Sequence, residues 1–129
     1  MIKKEEISNK ALHIADILDS KKAQDIIILK VEDLTIISDY FVVAGATSNT
    51  HAQTLAEEVE HKMAQEQEER PTRIEGMREG RWIVLDYGEV LVHIFHKEER
   101  EFYQLERLWK VDDNFFEYAD KNPETGKAN

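Results

Sequence analysis

The chain has 129 residues, enough for one domain with a core that needs no disulfide or metal to hold it. It has no cysteine, which excludes disulfide frameworks, thiolate zinc sites, iron–sulfur clusters and cysteine nucleophiles. Acidic residues number 27 against 17 basic ones, a formal charge of −10, so direct, sequence-specific nucleic-acid binding, which usually needs a basic face, is not expected. Such a charge still suits a basic protein partner, on which it steers encounter. No apolar run approaches the roughly 20 residues of a membrane span, and no apolar stretch follows the N-terminal lysines as a secretory signal requires. The expected location is the cytoplasm, away from membranes.

Ser8 is placed to cap a helix over 8–19, with Leu12, Ala15 and Leu18 (or Ile14 and Ile17) inward. Asp25 opens the run IIILKV, whose consecutive β-branched residues predict a strand covered on both faces. Residues 33–39 read as a connector, and 40–44, YFVVA, as a second buried strand ending at Gly45. Ser48 caps a long helix over 49–67, with Ala52, Leu55, Ala56, Val59 and Met63 three or four apart. Its glutamate-rich end reads as a solvated face, and Pro71 as the stop.

Residues 72–75 predict a short strand, and Gly76 and Gly80 bracket a turn. Segments 81–87 and 90–96 predict two strands joined across Gly88-Glu89, a hairpin signal between apolar runs. Period-two alternation puts Trp82, Val84 and Asp86 on one face and Ile83, Leu85 and Tyr87 on the other. A last helix is expected over 98–109 with Phe102, Leu105, Leu108 and Trp109 inward. Beyond it the periodicity fades; Phe115, Phe116 and Tyr118 can pack back, while 121 onward reads as disordered. The expectation is an α/β single domain over 1–110, a mixed five-stranded sheet flanked by helices, followed by an acidic C-terminal tail, partly disordered, over 111–129.

Chemistry finds little support. His93 and His96 lie three apart on one strand and point to opposite faces, while His51 and His61 are ten apart on a helix, so no metal site is expected. Ser48 follows a strand and opens a helix, but the GxSxG elbow is missing. Nucleotidyl transfer needs a glycine–serine turn and then two carboxylates at i and i+2 on the next strand, holding Mg²⁺. Gly45 to Ser48 supplies a weak form of the turn, and the acid pair is absent. A nucleotidyltransferase-like nucleotide-binding protein is therefore the alternative reading, and no cofactor is expected.

Three ordered segments carry a specific resemblance. Lys22-Ala23-Gln24-Asp25-Ile26 leads to Ser38-Asp39-Tyr40-Phe41-Val42-Val43-Ala44-Gly45 and Ser48. Glu75-Gly76 precedes Gly80-Arg81-Trp82-Ile83-Val84-Leu85-Asp86-Tyr87-Gly88 and Val92-His93-Ile94-Phe95. Arg100-Glu101-Phe102-Tyr103-Gln104-Leu105-Glu106-Arg107-Leu108-Trp109 closes the set. Over roughly residues 8–110 the chain resembles the ribosomal silencing factor (RsfS, Iojap-like) family. That resemblance implies a nucleotidyltransferase-like topology without the catalytic carboxylates, hence a binding module and no enzyme. It implies binding of the large ribosomal subunit through ribosomal protein L-fourteen, a block on joining of the small subunit, and translational repression when nutrients are short. A surface apolar enough for that partner is also apolar enough to form a homodimer without it.

The expected contact surface is the hairpin 81–96 with the Glu75-Gly76 turn. Large aromatics ringed by polar groups are typical interface anchors, which singles out Trp82 and Tyr87. Glu75, Asp86 and Glu89 would face a basic partner, with Arg81 and His93 beside them.

Overall fold

The computed structural model describes residues 1–118, and the expected disordered stretch from 121 lies outside them. A short turn of 3-10 helix, Lys4–Glu6, precedes α1 (Asn9–Ser20); β1 (Gln24–Lys30), β2 (Tyr40–Ala46) and α2 (Asn49–Gln67) follow. Then come β3 (Arg73–Glu75), β4 (Trp82–Asp86), β5 (Val90–His96), α3 (Lys97–Tyr103), α4 (Leu105–Trp109) and β6 (Phe115–Glu117). Both long helices start as the sequence predicts: Ser8 Oγ accepts from Ala11 N at 3.1 Å, and Ser48 Oγ accepts from His51 N at 3.0 Å. α2 ends in a left-handed Glu68 (φ 55°), three residues ahead of the expected stop at Pro71.

The strands form one mixed sheet in the order β3-β4-β5-β2-β1-β6. Among the described strands only β2 and β5 run parallel, because α2 and the β3–β4 pair carry the chain back across the sheet between them. Among the described residues the sheet has six strands where five were expected. The sixth comes from the segment assigned to the tail: Phe116 pairs with Ile28 of β1 and is buried, and Ile2 N donates to Phe115 O at 2.8 Å. Three residues are too few to show a period, so β6 is visible only where β1 offers it an edge.

Two cores result. Under α1 and α2, Ile14, Leu18, Leu55, Val59 and Met63 meet Val42, Ala44, Ile83, Leu85, Val92 and Ile94. On the opposite face, Ile27, Leu29, Phe41, Val43 and Phe95 meet Leu105 of α4, with Trp109 half-buried against Phe41 (ring centroids 5.1 Å). The continuous apolar run of β1 is thus covered on both faces, as its composition predicts.

The expected single helix over 98–109 is two. Gln104 sits at φ 49°, ψ 49°, in the left-handed region, and turns the chain between α3 and α4. That break sends Phe102 and Leu108 outward, to 79% and 75% exposure, while Leu105 alone is buried. Arg100 secures the pair, donating from Nε to Glu106 Oε2 at 3.0 Å and from Nη1 to Gln24 O at 3.2 Å. α3 and α4 are short, and they leave part of their sheet face uncovered.

Candidate partner-binding face

The open area spans β3, β4 and β5. Register places Arg73 opposite Asp86, Glu75 opposite Val84, Trp82 opposite Phe95, Val84 opposite His93 and Asp86 opposite Leu91, all on one side. Burial alternates along β4 accordingly: Ile83 and Leu85 are buried under α2, while Trp82, Val84 and Asp86 are partly exposed.

Trp82 is the centre of an aromatic group. Its indole stacks on Phe95 at 4.7 Å and leans on Tyr103 of α3 at 5.0 Å, and Tyr103 meets Phe102 edge-on at 5.0 Å. Trp82 Nε1–H donates to His93 Nδ1 at 3.2 Å. Indole can only donate, so His93 Nδ1 is the acceptor and a neutral ring carries its proton on Nε2. That Nε2 is buried without a hydrogen-bond partner among the described residues. Burial lowers the His93 pKa to about 4, so the ring is neutral at physiological pH. Phe41 closes on it edge-to-face at 4.9 Å.

The expected site residues divide. Glu75 is exposed on this face and paired with Arg73 at 3.3 Å. Gly76 holds φ 82° in the turn before β4, where a Cβ would stand 2.0 Å from Trp82 O, so no side chain fits. Arg81 is exposed and bound to Glu99 at 2.7 Å, tying the start of β4 to α3. Asp86 accepts from Gly88 N at 2.8 Å and stays on the open face.

Two of the eight do not belong to this surface. Tyr87 is 5% exposed and lies in the core under α2. Burial first, then the charges of Glu60 and Glu69, pushes its hydroxyl well above the usual phenol range. Strand alternation puts it opposite Trp82, on the helix-covered side of the sheet. Glu89 is drawn to the helix side, where Lys10 Nζ lies 2.7 Å from it and 2.8 Å from Glu69. Burial alone would lower the Lys10 ammonium, and the two carboxylates outweigh it and hold it above its ordinary value. Glu89 is a pin between the hairpin, α1 and the end of α2. Part of the α2 glutamate run is likewise engaged: Glu66 meets His13 at 2.9 Å.

The structure adds residues that the sequence reading passed over. Tyr103 and Phe102 extend the Trp82 group, and the connector between β1 and β2 presents Leu34, Ile36 and Ile37 to solvent. The signal for the connector was present in the sequence: two adjacent isoleucines in a segment too polar to be a strand. Among the described residues no cluster of three metal-ligating side chains occurs, and no helix is long and apolar enough to cross a membrane.

Fold and face together define a small α/β domain whose sheet is covered by α1 and α2 on one side and only partly by α3 and α4 on the other, where the aromatic group around Trp82 is partly exposed. The description "Ribosomal silencing factor during starvation" (RsfS) matches residues 4–129. The ribosomal silencing factor RsfS of Halalkalibacterium halodurans is 40% identical over 92 residues, 71% of this chain and 78% of that protein. A crystal structure of a Chromobacterium violaceum protein superposes with TM-score 0.72 at 31% identity, covering 87% of this chain and 90% of that one. A mouse protein named "Mitochondrial assembly of ribosomal large subunit protein 1" is 28% identical over 100 residues, 76% of this chain and 44% of that protein. The chain belongs to the ribosomal silencing factor (RsfS) family.

Proposed function

We propose that this chain represses translation in the cytoplasm by binding the large ribosomal subunit through protein L-fourteen and so blocking the small subunit. It does so by occupancy and catalyses nothing. The observation that carries this reading is the open β3–β4–β5 face, with Trp82 at its centre, on a −10 molecule of the silencing-factor family. Affinity comes from few desolvated aromatic anchors, and carboxylates at the rim select a basic partner. The family description supplies the link to starvation, and the mouse relative's name supplies the large subunit. A nucleotidyltransferase-like origin of the topology is part of this reading, supported by the Gly45 to Ser48 turn at the start of α2.

Sedimentation of purified subunits with and without the protein is the test. Saturating protein is expected to reduce complete ribosomes and to travel with the large subunit; unchanged joining overturns the proposal. Trp82→Ala is expected to weaken large-subunit binding about thirtyfold, the equivalent of about 2 kcal/mol, in a folded protein. Glu68→Ala, at the far end of α2, is expected to change it little.

A further inference from the structure

We propose that residues 31–39 form a second contact arm, a preset apolar prong that seats in a hollow of a basic protein surface beside the sheet face. The inference rests on the ribosome-binding reading and extends it to a segment outside the hairpin. Ile36 is fully exposed, at 104%, Ile37 is 65% exposed and Leu34 is 44% exposed. Three large aliphatic side chains in water on one short connector are unfavourable to the free protein, and contiguous exposed apolar groups mark interaction sites.

The connector is also held in shape. Val31 N donates to Asp39 O at 2.8 Å and closes its base; Leu34 N and Thr35 N both donate to Val31 O, at 2.9 and 3.1 Å. Ile37 N donates to Thr35 Oγ1 at 3.1 Å. Asp39 N donates to Glu89 O at 3.0 Å, and the buried Ser38 hydroxyl donates to Tyr40 O at 3.1 Å. Backbone bonds of this density around outward isoleucines leave little ordering entropy to be lost on binding, which favours affinity.

Position and charge select the occupant. Ile37 shares a hollow of about 210 Å³ with Val84 and Leu91, bounded by Arg73, Glu75 and Asp86 of the open face. The prong therefore continues the Trp82 surface. Its flanks carry the exposed carboxylates Glu32, Asp33 and Asp39. An acidic rim around aliphatic anchors repels RNA and an anionic membrane, and it attracts a basic protein.

The experiment compares the full chain, the Ile36→Ser/Ile37→Ser double variant and Trp82→Ala for equilibrium binding to isolated large ribosomal subunits. The double variant is expected to bind at least tenfold more weakly with an unchanged thermal midpoint, since both side chains are exposed. Wild-type strength in the double variant, alongside weakened Trp82→Ala, overturns the prong and leaves the sheet-face reading standing. Absence of wild-type binding overturns both. A photocrosslinking residue in place of Ile36 is expected to label a basic large-subunit protein. Labelling of ribosomal RNA, or of a second copy of the chain, overturns the proposal.

Discussion

Trp82 reaches the open face with its one polar atom already engaged, by His93 Nδ1 at 3.2 Å. The bond needs a neutral imidazole, and burial keeps His93 neutral by lowering its pKa to about 4. The linkage follows from that depression. An unfolded histidine takes up a proton near pH 6.5 and the folded one does not until about pH 4. The contribution of His93 is thus complete above pH 6.5 and is lost as pH falls toward 4, a total on the order of 3 kcal/mol. His93→Phe is expected to flatten the fall in stability between pH 6.5 and 4.5, measured by denaturant unfolding against wild type. His93→Asn keeps an acceptor near the Nδ1 position and is expected to hold the Trp82 fluorescence, in a Trp109→Phe background, closer to wild type than His93→Phe does. Equal pH slopes in wild type and both variants would remove His93 from this role.

Between elements, the decisive contacts are few and charged. Lys10 on α1 joins Glu69, beyond α2, to Glu89 in the β4–β5 turn. Its side chain is 18% exposed and its partners are 35% and 49% exposed, so solvent screening keeps the bond modest. Lys10→Met is expected to cost about 1 kcal/mol at neutral pH, because two carboxylates are left facing each other. The raised pKa makes this contribution complete below the ordinary lysine value and lost as pH rises through the higher folded one. Thermal melts at pH 7 and above pH 11 check it: the variant's deficit is expected to shrink at the alkaline end. The break at Gln104 is the other element-scale event. A continuous helix would have carried Phe102 and Leu105 on one face; the left-handed residue turns Phe102 to solvent beside Tyr103.

For the whole molecule, the proposed function assigns the −10 charge and the aromatic face to different stages of binding. Long-range attraction to a basic partner sets the encounter rate, and desolvated anchors set residence time. Raising salt from 0.05 to 0.5 M shortens the screening length from above 10 Å to about 4 Å. The on-rate for large subunits is expected to fall about tenfold or more while the off-rate changes far less, read by surface-immobilised subunits. An on-rate indifferent to salt would assign the charge to solubility alone. Asp86 lies on the open face and Glu89 is held by Lys10, so only part of this charge lies on the β3–β4–β5 face.

Local pattern by itself determined the two capped helices, the doubly covered β1 and β2, the β4–β5 hairpin and the opposite facing of Trp82 and Tyr87, because caps and periods of 3.6 and 2 act within a few residues. The same pattern cannot say which β4 face α2 covers; grouping Trp82 and Tyr87 as aromatic anchors sets their opposite facing aside, and Tyr87 lies in the core. Nor could it find β6, three residues long and held by the edge of β1. It took Phe102 and Leu108 for core residues, since helical spacing reads the same until Gln104 turns the chain. Tertiary structure alone chose the open face. α3 and α4 are too short to cover the whole sheet, and the uncovered area holds the partly exposed Trp82, Val84 and Leu91 with Ile37 beside them.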